Sequence, residues 1–156
     1  PGTAISASLD TLPIGKAELR RETKRRTHRI ALLAFGSMVQ PAMAAGEELD
    51  ATVVNMRFVK PLDVELVVRL AREYDALVTI EENVIAGGAG SAVAEALAAE
   101  GFAAPILHLG LPDQFIDHGD PAFLLAHVGL DAEGIVSAVR RRFPARLAAS
   151  WAKPAA

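Results

Sequence analysis

The stretch of this chain best suited to chemistry is Gly87-Gly88-Ala89-Gly90-Ser91, which follows closely on Glu81-Glu82-Asn83. A glycine-rich turn that opens a helix can offer backbone N–H groups to a phosphate. A nucleotide cradle of the P-loop kind also needs a lysine, and a dinucleotide cradle needs Gly-x-Gly-x-x-Gly; neither pattern is present. Tight strand-to-helix packing, or the close approach of another protein surface, fits the glycines better. Glu81 and Glu82 end an apolar run, a position from which a carboxylate can act as acid or base. Adjacent strand residues point to opposite faces, so the two cannot work as a closely facing pair. An electrostatic or interface role is expected for them.

The four histidines, His28, His108, His118 and His127, show no metal-type spacing such as two on one helical turn. His118, in Ile116-Asp117-His118-Gly119-Asp120, is the one worth testing, with a structural hydrogen bond as its expected role. Ser37 follows Gly36 without the Gly-x-Ser-x-Gly elbow of a hydrolase nucleophile. With Gln40 it reads instead as a Ser-x-x-Gln capping box. The absence of cysteine excludes disulfides, thiolate metal sites and cysteine nucleophiles, and fits a reducing cytoplasm. No catalytic, cofactor-binding or metal-binding residue is assigned.

The elements that hold these residues read as alternating strands and helices. The near-continuous apolar run from Arg29 to Phe35 is how a strand covered on both faces reads. Further strands are expected at 51–56, 75–81 and 105–109. Helices are expected from Ser37 to about Leu49, from about Leu62 to Tyr74, and from the glycine turn to Gly101. A short helix should start at Asp120-Pro121, and a last one should be capped by Asp131 and ended by Pro144. On the second helix Glu65 stands four residues before Arg69, the favourable ion-pair orientation. The pattern calls for a three-layer α/β/α fold with a mostly parallel sheet of about five strands. Working loops then sit beyond the carboxyl ends of the strands, at 36–37, 57–61, 81–90 and 110–118. Residues 1–28 read as a linker or arm, 29–143 as the folded domain and 144–156 as a flexible tail.

The chain has 156 residues, 51% of them hydrophobic, and a formal net charge of -3. That content is too apolar for disorder, and the length suits one core. No uninterrupted apolar run reaches the roughly 18 residues of a membrane span, and the polar, basic first 29 residues do not read as a signal peptide. Positive charge gathers at 20–29 and 140–142. The first run carries no aromatics for base stacking, and the second closes a helix, where cations favour the macrodipole; neither reads as a nucleic-acid footprint. The first residue is Pro1 rather than Met, so the expectation is a piece of a longer chain or a processed product.

Several stretches together resemble one family. They are Leu12-Pro13-Ile14-Gly15-Lys16-Ala17-Glu18, Ala34-Phe35-Gly36-Ser37, Asn55-Met56-Arg57-Phe58-Val59-Lys60-Pro61-Leu62-Asp63, Leu77-Val78-Thr79-Ile80-Glu81-Glu82-Asn83, the glycine turn, and Gly110-Leu111-Pro112-Asp113-Gln114-Phe115-Ile116. In this order they are similar to the carboxyl-terminal, transketolase-type domain of the 1-deoxy-D-xylulose-5-phosphate synthases. The resemblance implies an enzyme that joins pyruvate and glyceraldehyde 3-phosphate with loss of carbon dioxide, at the entry to the non-mevalonate isoprenoid pathway. It also implies thiamine diphosphate, magnesium and a cytoplasmic homodimer for the parent enzyme. The family's metal-holding Gly-Asp-Gly motif has no counterpart here, because Gly119-Asp120 is followed by Pro121. The domains that carry the cofactor lie upstream in the family, so this chain alone is expected to be inactive. Its partners would be those upstream domains. Arg57, Lys60, Glu81, Glu82, Asn83, Gly87, Gly88 and Gly90 are the candidate interface residues. The alternatives are a free-standing α/β binding or regulatory module, and the corresponding domain of a transketolase or a 2-oxoacid dehydrogenase component.

Overall fold

A computed structural model describes residues 11–144. Its sheet has five strands: β1 (Glu18–Arg21), β2 (Ile30–Ala34), β3 (Thr52–Asn55), β4 (Ala76–Val84) and β5 (Ile106–Leu111), in the order β1-β3-β2-β4-β5. All neighbours are parallel except β1, which runs antiparallel along β3. Five α-helices accompany them: α1 (Val39–Leu49), α2 (Val64–Glu73), α3 (Ala89–Ala99), α4 (Pro121–His127) and α5 (Ala132–Arg142). The expected three-layer α/β/α arrangement is borne out.

The apolar runs explain the layering. Every residue of β2 is buried, because successive side chains enter opposite faces and both faces are covered. Leu32, Val53, Val78 and Ile80 meet α1 and α5 on one side. Leu33, Val54 and Leu77 meet α2 and α3 on the other, against Val67, Leu70, Val93 and Leu97. Each such side chain contributes about 1.5–3 kcal/mol on leaving water. An ion pair between Arg140 and Glu48 (3.0 Å) ties α5 to α1.

Three expectations need correction. Regular structure begins before Arg29, because Glu18–Arg21 forms the edge strand β1. Asp63 fastens it: the carboxylate accepts from Ala17 N (3.0 Å) while capping α2 through Leu66 N (3.2 Å). Lys16 adds an ion pair to the same carboxylate at 3.6 Å. Second, Glu65 pairs with Lys16 (3.1 Å) rather than with Arg69, since the β1 segment brings a cation closer than the helix does. Third, the Ser37–Gln40 capping box does not form. Gly36–Met38 is a 3₁₀ turn, α1 starts at Val39 with no side-chain cap, and the Ser37 hydroxyl donates to Glu82 across the sheet.

Asp120 and Asp131 do cap as expected, accepting from Phe123 N (3.0 Å) and Gly134 N (2.8 Å). Between these caps the chain turns at Gly129 (φ 76). An 18-residue window within Pro121–Arg142 reaches the mean hydropathy (1.5) of a membrane span, but this break divides the stretch into α4 and α5. The tail expected at 144–156 falls outside the described residues beyond Pro144.

Candidate functional site

A cleft of about 660 Å³ opens beyond the carboxyl ends of β2 and β4. The loop after β2 supplies Gly36 and Ser37, the loop after β3 supplies Val59 and Lys60, and the end of β4 with the start of α3 supplies the remaining wall. Six of the eight candidate interface residues line it: Lys60, Glu81, Glu82, Asn83, Gly87 and Gly88. Arg57 and Gly90 do not. The Arg57 guanidinium turns toward β1 and pairs with Glu18 at 2.8 Å, while its backbone N–H donates to the Asn55 side chain at 3.1 Å. Gly90 is buried beneath the cleft floor.

Glu81 organises the floor. It is only 3% exposed, and its two carboxylate oxygens accept from Ala89 N (2.6 Å) and Gly90 N (2.8 Å). A strand residue thus caps the helix that follows it, placing a negative charge where the helix dipole favours one. The glycines permit this approach. A Cβ on Gly88 would overlap the Glu81 carboxyl group and stand 2.5 Å from Val84 O, and a Cβ on Gly90 would stand 2.5 Å from both His108 Nδ1 and Thr79 Oγ1. Two of the N–H groups that could hold a phosphate at this helix start, those of Ala89 and Gly90, are therefore already taken from inside the fold. Tight strand-to-helix packing, one of the two readings open from the sequence, accounts for Gly88 and Gly90. Gly87 stands in open space with φ 74, a left-handed turn that suits glycine.

Glu82 points the other way, as strand alternation requires, and is exposed beside Ser37. The two glutamates do not form a catalytic pair. Of the histidines, His108 bonds Thr79 Oγ1 at 2.7 Å, His127 stacks on Phe123 with ring centroids 6.3 Å apart, and His118 lies exposed in the loop before α4. Among the described residues no group of three or more His, Cys, Asp or Glu side chains is placed to hold a metal ion. This donor set does not fit an anchored dication with its diphosphate.

Ser37, expected at a helix cap, lies instead in the cleft wall, and Phe115, which the sequence marks only as part of a family motif and not as an interface residue, is fully exposed in the loop after β5. The signal for Phe115 was present, since an aromatic between Gln114 and Ile116 in a polar loop has no helical or strand face to join.

Residues 15–135 match the family described as Transketolase, C-terminal domain. The chain is 63% identical over 144 residues to the 1-deoxy-D-xylulose-5-phosphate synthase of Cupriavidus taiwanensis, covering 92% of this chain and 23% of that relative. It is 59% identical over 146 residues to the synthase of Methylibium petroleiphilum, covering 94% of this chain and 23% of that one. The chain thus spans about a quarter of the length of the curated relatives it matches. A solved structure described as "Split gene transketolase, inactive beta4 tetramer" superposes with a TM-score of 0.76 at 36% identity, over 85% of this chain and 44% of that one. The relatives bear out the resemblance carried by the motifs. With four parallel strands, an antiparallel edge and a family match over most of the described residues, the chain belongs to the transketolase C-terminal domain family.

Proposed function

We propose that this chain is the C-terminal domain of a 1-deoxy-D-xylulose-5-phosphate synthase and that its work is packing and dimer support rather than catalysis. The synthase joins pyruvate to glyceraldehyde 3-phosphate with loss of carbon dioxide. In this reading its thiamine diphosphate and magnesium are held by upstream domains, which are the partners of the cleft, and the assembled enzyme is a cytoplasmic homodimer. Residues 1–28 then connect the two parts, with β1 as the stretch of that connection built into the sheet.

The observation that carries the reading is the internal capping of α3 by Glu81, which places a carboxylate on the Ala89 and Gly90 N–H groups where a diphosphate would have to bind. Thiamine chemistry requires an anchored dication and a carboxylate poised at the pyrimidine ring. Glu81 is the buried carboxylate at the cleft, and both its oxygens are engaged.

Titration calorimetry of the purified chain with thiamine diphosphate and magnesium should give no binding heat, and the chain should not turn over pyruvate. Supplying the upstream three quarters of the Cupriavidus taiwanensis relative in trans should yield synthase activity that neither piece has alone. Tight magnesium-dependent cofactor binding, or product from this chain by itself, would overturn the proposal.

A further inference from the structure

Three clefts on this molecule share walls. Asn83 lines both the 660 Å³ cleft and a neighbouring one of about 520 Å³ along the end of β5. Gln114, Phe115 and Ile116 line that second cleft and also a third of about 340 Å³ against α4. Together they make one band across the carboxyl end of the sheet.

The two ends of the band differ in chemistry. At the β2 end Glu82 and Glu95 outnumber Lys60, and the Glu82 carboxylate, with only the Ser37 hydroxyl donating to it, keeps acceptor capacity for a cation. At the α4 end Phe115 is fully exposed and Phe123 is 68% exposed, beside half-buried Ile116 and Leu124. A phenylalanine left wholly in water is the kind of side chain that anchors protein interfaces.

The course of the chain says what covers the band. Strand β1 is antiparallel to β3, with Glu18 opposite Asn55, so it starts at the carboxyl end of the sheet. Just before it, Gly15 packs against Pro61, next to Lys60 of the first cleft. The described residues just ahead of β1 therefore lie at the end of the sheet where the band lies, and the relatives are about four times longer than the matched segment.

We infer that the band from Lys60 to Phe123 is the seat of the upstream domains, which present a cationic side chain to Glu82 and a bulky apolar one to Phe115. This rests on the functional reading above and names the surface and its complement. The occupant is polypeptide; a small anion would meet acidic residues at one end and aromatic ones at the other.

Hydrogen exchange tests it. The full-length Cupriavidus taiwanensis synthase is prepared with its matching 144 residues replaced by those of this chain, and amide exchange is compared with that of the isolated chain. Exchange at 82–88 and 112–118 should slow roughly tenfold or more in the full-length protein, while the far end of α3 near Glu100 is unchanged. Phe115→Ser and Glu82→Lys, both at exposed positions, should restore fast exchange across the band; Glu100→Lys should not. An active full-length protein with an unprotected 112–118 loop overturns this inference and leaves the functional reading standing. A folded but inactive one overturns both. Protection already present in the isolated chain and lost on dilution would assign the band to a second copy, and also overturns the inference.

Discussion

Replacing Glu81 by glutamine tests whether a strand residue holds the start of α3. The carboxylate accepts two N–H groups, from Ala89 at 2.6 Å and Gly90 at 2.8 Å, in a site 3% exposed. The amide offers one oxygen, so its NH₂ group must face one of those two donors and leave it buried and unpaired. Such a loss costs about 1–3 kcal/mol, and removing the anion from the helix N-terminus adds about 0.3–1 kcal/mol. A total of about 1.3–4 kcal/mol should lower the melting temperature by roughly 4–15 °C for a domain of this size. Urea unfolding followed by circular dichroism reads the free energy, and amide exchange at Ala89 and Gly90 reads the site. Glu82→Gln, one residue away and exposed, should stay within about 0.5 kcal/mol of the parent chain. Gly88→Ala should also destabilise, and its cost should shrink in a Glu81→Ala background, because the Cβ then loses one of its two obstacles. If Glu81→Gln melts within about 2 °C of the parent chain, the capping argument is wrong.

Two further outcomes follow from the edge strand. Asp63→Ala removes the cap of α2 and the acceptor for Ala17 N together, so it should cost about 1–3 kcal/mol and make the segment before β1 cleavable by trypsin at Lys16, read on a gel. Burial raises the pKa of Asp50, but the Arg21 hydrogen bond leads a set of contacts that outweighs it and holds the carboxyl below its usual value. A lowered carboxylate pKa stabilises the fold above the unfolded-state value, and that contribution fades as pH falls through the native one; Asp50→Asn should therefore flatten the stability profile below about pH 4 in acid titrations.

The parallel core was legible because β2, β3 and β4 are apolar on both faces and need no distant information. The caps at Asp120 and Asp131 were legible because a side chain bonding three residues ahead is a local event. Strand β1 was hidden: four residues reading Glu-Leu-Arg-Arg have the composition of a solvated arm, and only Asp63 and β3, more than thirty residues on, make them a strand. Ser37 misled for the same reason, since its partner Glu82 lies 45 residues away. The candidate site was half legible. The glycines marked the place, but their meaning depends on Glu81 reaching forward to cap a helix, which no N-cap pattern encodes.

The way β1 begins beside Pro61 bears on how strongly the band must grip. On the proposed reading, in which the upstream domains are tethered ahead of β1, their effective concentration at the band is on the order of millimolar, and a patch of modest intrinsic affinity suffices to keep it occupied. A version divided into two genes forfeits that advantage and must regain it through more contact area or through multiplicity.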